Sequence, residues 1–438
     1  MGDPPVPELP VERFELSCGA RLLVSSRADA PLCALQLHVA GAFAEDPLER
    51  AGLAHLVGAL APEGTRSRSD EDLADALEPH GGSLSGDSTG LVGVIEGAHW
   101  QALVDVTAEV VCEPSYPKQQ VDRRRDALLD RLTVEAADPR VQAARRFRQA
   151  VYGDHWLGRP ERGEHETVAR IERRHLTAYH RRHWVARRAT IAVCGDVEAR
   201  EVFERFERRL AGWKPGTQAP PVAEDFPAPR RRVSAFRASR QQVHLFLGHL
   251  GIRRDDPDYA AVAVLDHVLG TGAGFTNRIA KRLRDDEGLA YSVYASQYDS
   301  AGRLPGVFSA YIGTSPTKIE AAVHGMVEEI ARIRDEPVTE EELSLARDSL
   351  IGSYVLGFER AKARVNYILF AERMGFGQEE LVELPRRIAA VGIEDVQRAA
   401  RRCLRPEELC LSGAGPVTRK QLAATLEAAL SAEHPNVR

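Results

Sequence analysis

Two similar successions of strands and helices, separated by a proline-rich stretch at residues 214–229, dictate what this 438-residue chain can become. In the first half, Phe14, Leu16 and Cys18 alternate onto one face, and after a turn at Gly19 a second run places Leu35, Leu37 and Val39 on one face. A helix is predicted over 48–60. A second starts at Ser69, where Asp72 three residues on makes a capping-box pattern, and stops at Pro79 and Gly81-Gly82. Residues 83–95 then read as one strand, and 100–112 and 118–136 as helices.

The second half repeats this order: a strand at 242–250, a helix at 259–269, a glycine-rich turn at 270–274, and a short helix at 276–284. Strands at 289–296 and 307–313 and helices at 317–334 and 340–354 follow. Local echoes support a duplication. Glu113-Pro114 precedes Arg125-Asp126-Ala127-Leu128-Leu129 much as Glu336-Pro337 precedes Arg347-Asp348-Ser349-Leu350-Ile351, and residues 191–197 resemble 409–417. The expectation is an α+β fold of two tandem homologous domains, 1–213 and 230–438, joined by the linker 214–229. Each is a mostly antiparallel sheet with helices packed on one side.

Composition narrows the function. A net charge of −6 argues against a nucleic-acid binder. The six cysteines lack any C-x-x-C pair and read as reduced, buried residues. No signal peptide is visible at the start and no apolar stretch reaches membrane-spanning length, so a cytoplasmic protein without membrane association is expected. No Lys-Ser/Thr follows the 270–274 glycines, which excludes a P-loop, and there is no G-x-S-x-G. His180 and His183 read as a solvated basic helix face, and His155 and His165 carry no assigned chemistry.

Residues 51–65, AGLAHLVGALAPEGT, point further. With the stretches 66–89 and 113–132 that follow, they resemble the insulinase/pitrilysin family of zinc peptidases, whose signature is G-L-A-H-x-x-E-H. In that motif two His four apart share one helix face and grip zinc, and the Glu between them takes a proton from the bound water. A distant Glu completes the ligand set. This chain keeps His55 alone: the general-base position is Gly58, the second His is Ala59, the distant ligand falls on Arg131, and a neighbouring family Glu falls on Arg124. One imidazole cannot hold a catalytic ion, and guanidinium groups oppose a divalent cation. His55 is therefore expected to be a relic, hydrogen-bonded or partly exposed. Gly58 should weaken the helix by about 1 kcal/mol relative to alanine.

The second half retains what the resemblance would require of it. Residues 282–293, RLRDDEGLAYSV, look like the family signature whose Arg and Tyr bind substrate beside the zinc of an opposing half or subunit, and Arg284 and Tyr291 match them. The resemblance implies a noncatalytic subunit, like those of two-chain bacterial members and of mitochondrial processing peptidase. Such a subunit holds no cofactor itself, pairs with a homologous H-x-x-E-H chain that carries zinc, and forms half of a clamshell around a peptide. A structural or assembly protein of the same fold with no proteolytic role is the alternative.

Overall fold

The computed structural model describes residues 8–28, 30–228, 230–272 and 277–433. The first half runs β1 (Glu12–Glu15), β2 (Arg21–Ser26), β3 (Leu32–Val39), α1 (Leu53–Leu60), α2 (Asp70–Asp75), β4 (Ser83–Asp87), β5 (Gly90–Glu96), α3 (Trp100–Cys112), α4 (Lys118–Ala137), α5 (Pro139–Tyr152), α6 (His165–Val168), α7 (Arg173–His183), β6 (Ala189–Gly195) and α8 (Ala199–Arg209). The second runs β7 (Val233–Arg237), β8 (Val243–Leu250), α9 (Tyr259–Asp266), α10 (Arg278–Ala280), β9 (Ala290–Asp299), β10 (Val307–Thr314), α11 (Ile319–Asp335), α12 (Glu340–Gly357), α13 (Ala361–Met374), α14 (Glu380–Ala390), α15 (Ile393–Cys403), β11 (Cys410–Gly415) and α16 (Arg419–Glu433). Among the described residues no helix is long and apolar enough to cross a membrane. The glycine-rich turn and the start of the helix expected at 276 fall partly outside the described residues.

The strand orders make the duplication explicit. One sheet runs β1-β2-β6-β3-β5-β4 and the other β7-β11-β8-β10-β9. In each, one parallel pair (β2 with β6, β7 with β11) is followed by antiparallel neighbours. Thus β4 and β9 are equivalent edge strands, each paired among the described residues on one side only, with β5 and β10.

Each sheet buries one face under helices of its own half, as the alternating pattern requires. The other face is covered by a helix from the opposite half. Val365, Ile368 and Leu369 of α13 pack on Leu23, Ala34 and Ala192 of the first sheet. Phe147 and Val151 of α5 pack on Phe246, Tyr311 and Ala414 of the second. The halves are thus interlocked by an exchange of helices that local periodicity does not announce.

Two local expectations need correction. Residues 83–95 form a hairpin, not one strand: Asp87 Oδ1 accepts from the Thr89 N–H at 2.7 Å, and Gly90 takes φ +144° to re-enter the sheet. His180 and His183 are buried, not solvated. His180 meets the Tyr116 ring edge-on at 5.9 Å, and His183 stacks on Tyr179 at 4.1 Å. Burial pushes both imidazoles down to about 4, so they sit in the core as neutral rings.

Candidate functional site

Helix α1 begins at Gly52, whose φ of +96° suits glycine. Buried Asp46 caps it, accepting from Gly52 N–H at 2.6 Å and Ala54 N–H at 3.0 Å. Burial pushes the Asp46 carboxyl up to about 6, against the pull of those amides and of Arg159. Leu53, Leu56, Val57 and Leu60 turn into the core, which leaves His55 and Ala59 on the half-buried face.

His55 is partly exposed, as expected, but its Nδ1 is buried without a hydrogen-bond partner. Burial lowers its pKa, and the charges felt there are Glu161, Arg162, Asp87 and Arg131. The structure therefore brings Arg131 into the surroundings of His55. The Arg131 side chain is exposed and donates to Glu135 at 3.1 Å, one turn along α4. Glu135 also receives Arg145 at 2.5 Å and lies 3.8 Å from Arg162. Arg124 is directed elsewhere: with Arg123 it holds Glu63, just beyond α1. Sequence reasoning singles out neither Glu135 nor Glu63. The i, i+4 spacing of Arg131 and Glu135 is the available signal for the first.

Gly58 gives the clearest geometric result. A Cβ built there would lie 1.8 Å from the carbonyl oxygen of Asp87, at the end of β4. A Cβ on Gly86 would meet the Gly58 carbonyl oxygen at 2.2 Å. Helix α1 rests backbone to backbone on the edge strand. Position 58 has no room for a methyl group, still less for the carboxylate of a general base.

The second-half pair stands at the equivalent edge. Arg284 lies in the widened helical turn Lys281–Asp286 and donates from Nε to Asp285 Oδ1 at 2.9 Å. The Asp285 hydrogen bond raises its pKa, and Tyr291 contributes in the same sense. Tyr291 is 94% exposed near the start of β9, held in place by buried Leu289, whose carbonyl accepts from Thr314 Oγ1 at 2.7 Å. An exposed phenol and a guanidinium paired with Asp285 thus lie toward this strand edge, and both groups are hydrogen-bond donors.

Residues 21–163 match the family described as Insulinase (Peptidase family M16), and residues 170–350 match Peptidase M16 inactive domain. An uncharacterized zinc protease of Streptomyces coelicolor is 29% identical over 385 residues, covering 84% of this chain and 82% of the relative. A peptidase M16 inactive domain from Pseudomonas fluorescens superimposes with TM-score 0.86 at 24% identity, covering 94% of this chain and 99% of that one. A protease from Helicobacter pylori does so with TM-score 0.85 at 15% identity, over 93% and 100%. The duplicated sheets, the H-x-x-G-A remnant on α1 and these two successive family matches, which between them span most of the chain, place the protein in the insulinase (M16) peptidase family, as a member without an intact zinc motif.

Proposed function

We propose that this chain is the noncatalytic subunit of a two-chain zinc peptidase. Its Arg284 and Tyr291 hold a peptide substrate for a homologous partner that carries an intact H-x-x-E-H. In this reading the chain binds no catalytic zinc; the metal, its water and the general base belong to the partner. The observation that carries the reading is the contrast at the two equivalent edges. Position 58 is filled by the backbone of Asp87, while Tyr291 stands 94% exposed beside Arg284.

The chemistry assigned to this chain is binding and orientation. An extended peptide can add to the free edge of β9 through main-chain hydrogen bonds. The Arg284 guanidinium and the Tyr291 hydroxyl then donate to a substrate carbonyl, and those donors gain strength as negative charge develops on that oxygen. Asp285 accepts from the Nε and from one terminal amino group of the guanidinium and so fixes its plane.

The test is peptide hydrolysis by each chain alone and by the mixture, using an H-x-x-E-H homologue encoded beside this chain. Activity is expected only where that homologue is present, and to rise on mixing. Arg284→Ala in this chain should lower the activity of the mixture by about ten-fold or more. Mixed activity unchanged by both Arg284→Ala and Tyr291→Phe would refute the substrate-holding role. About one zinc per chain in this protein alone would refute its noncatalytic assignment.

A further inference from the structure

A cavity of about 610 Å³ opens between α4, α5 and the loop that leads to α6. Its size is that of a small-ligand pocket. Leu132 of α4 lines it.

Three guanidinium groups line the cavity, and they differ in how they are balanced. Arg145 pairs with Glu135 at 2.5 Å, a carboxylate it shares with Arg131 and Arg162. Arg146 lies over the Phe236 ring at 5.1 Å, and its Nε is buried with no hydrogen-bond partner. Arg159 is half-buried and makes no hydrogen bond or close ion pair through its side chain among the described residues; its charge is felt by Asp46. The lining carboxylates, Asp154, Glu164 and Glu166, are all exposed, where water and salt screen them. Leu48, 65% exposed, adds an apolar rim. The Arg146 Nε is sealed from the cavity, so a bound acceptor would meet the terminal amino groups of Arg146 and the Arg159 guanidinium, which donate to no protein acceptor among the described residues.

We infer that this cavity is a subsite for a carboxylate-bearing peptide segment, with Arg146 and Arg159 taking the carboxylate and Leu48 and Leu132 the adjoining apolar side chain. The planar fork of arginine matches a carboxylate, and paired guanidinium groups fix its direction. A net charge of −6 disfavours a polyanion such as nucleic acid. The inference rests on the peptide-handling role proposed above and adds a substrate class to it.

Titration calorimetry with the full chain and no partner tests it. The probe is an acetylated, otherwise uncharged octapeptide with a free C-terminal carboxylate. Its C-terminal amide, and an amidated peptide with one internal Glu, separate the chain terminus from a side chain as the source of the carboxylate. Tighter binding of either acid than of the neutral amide, by about ten-fold or more, supports the subsite. Arg146→Ala combined with Arg159→Ala should abolish that preference. So should Arg159→Glu, which leaves the Phe236 stack intact and serves if the double variant does not fold. Arg200→Ala, in an exposed ion pair with Glu204 on α8, should leave it unchanged. Equal affinity for acid and amide, a preference that survives Arg159→Glu, or tighter binding of a phosphopeptide or an oligonucleotide would each overturn the inference. No hydrolysis is measured. An intact carboxylate preference beside an inactive mixture would therefore refute the subunit role alone, and an active mixture without the preference would refute the subsite alone.

Discussion

Strands β4 and β9 occupy the same place in the two sheets, and the chain treats them differently. At β4, α1 closes against the strand backbone through Gly58 and Gly86. At β9 a glycine contact also exists, since a Cβ on Gly270 would meet Ala295 N at 2.3 Å. Yet the outer end of that strand presents Tyr291 to solvent with Arg284 beside it. The first half has come to pack its helix on its edge strand much as the second half does. A carboxylate side chain at position 58 needs a gap between helix and strand, and the close glycine packing leaves none. At the general-base position, loss of the side chain and loss of space are therefore one change, not two.

The strongest way to break this comparison is to restore the motif. Gly58→Glu with Ala59→His and Arg131→Glu should not recover a zinc site. The carboxylate side chain introduced on α1 would have to displace the Asp87 backbone or push the helix away from β4. Overpacking costs about 1–3 kcal/mol and a confined carboxylate adds more, so a loss of about 4 kcal/mol or more is expected. Denaturant melts and zinc content after dialysis are the measurements; a folded protein with one tightly bound zinc would show that the pocket is still open. Gly58→Ala alone sharpens the point. Helix propensity favours alanine by about 1 kcal/mol, so net destabilisation isolates the steric term. Gly270→Ala is its counterpart at the other edge.

The two edges also belong to one folding unit, as the helix exchange implies. Phe147 of α5 is buried against Phe246 of the second sheet, with ring centroids 6.0 Å apart. Phe147→Ala should cost about 3–5 kcal/mol. It should also shift the unfolding of both halves together, read by tryptophan fluorescence and circular dichroism. A first-half transition left in place while the second moved would show that the exchange does not couple them.

The duplication is legible because strand alternation and helix order survive in each copy, and Ser69 with Asp72 indeed forms a capping box. The closure at Gly58 is not, because it depends on where β4 lies, and β4 itself is hidden when 83–95 reads as one strand across the Asp87–Gly90 turn. The α13 contact with the first sheet is beyond local pattern, since an apolar helix stripe does not say which sheet it will cover. His180 and His183 mislead because Arg181 and Arg182 between them suggest a wet face; the i, i+3 spacing places both imidazoles on the inner side of α7. Arg131 and Arg124 look alike in sequence and part company in space, one near His55 and one at Glu63.

A smaller effect concerns what holds the closed site in place. Burial raises the Asp46 carboxyl to about 6, above its unfolded value, so the folded state holds that proton more tightly. Its contribution to stability is full below about pH 4 and is lost as pH rises through about 6. Between pH 5 and pH 7 this group should withdraw about 1–2 kcal/mol. Asp46→Asn should flatten that slope whatever it does to the level, because the amide still offers one acceptor to Gly52 or Ala54 but does not titrate. Denaturation at pH 5 and pH 7 measures it, and an unchanged slope would relocate the titrating group.

The smallest expected effect is at the open edge. Tyr291 is 94% exposed, so Tyr291→Phe removes a hydroxyl that touches mainly water and should change stability by less than about 0.5 kcal/mol. That near-silence is what separates the two edges. A residue retained for packing would register in a melt, as Gly58 should, whereas one held out for a ligand registers only when the ligand is present. Thermal melts of the Tyr291→Phe and Gly58→Ala variants side by side make the measurement. A Tyr291→Phe loss as large as that of Gly58→Ala would mean that β9 uses its tyrosine to hold the fold, and the two edges would no longer differ in kind.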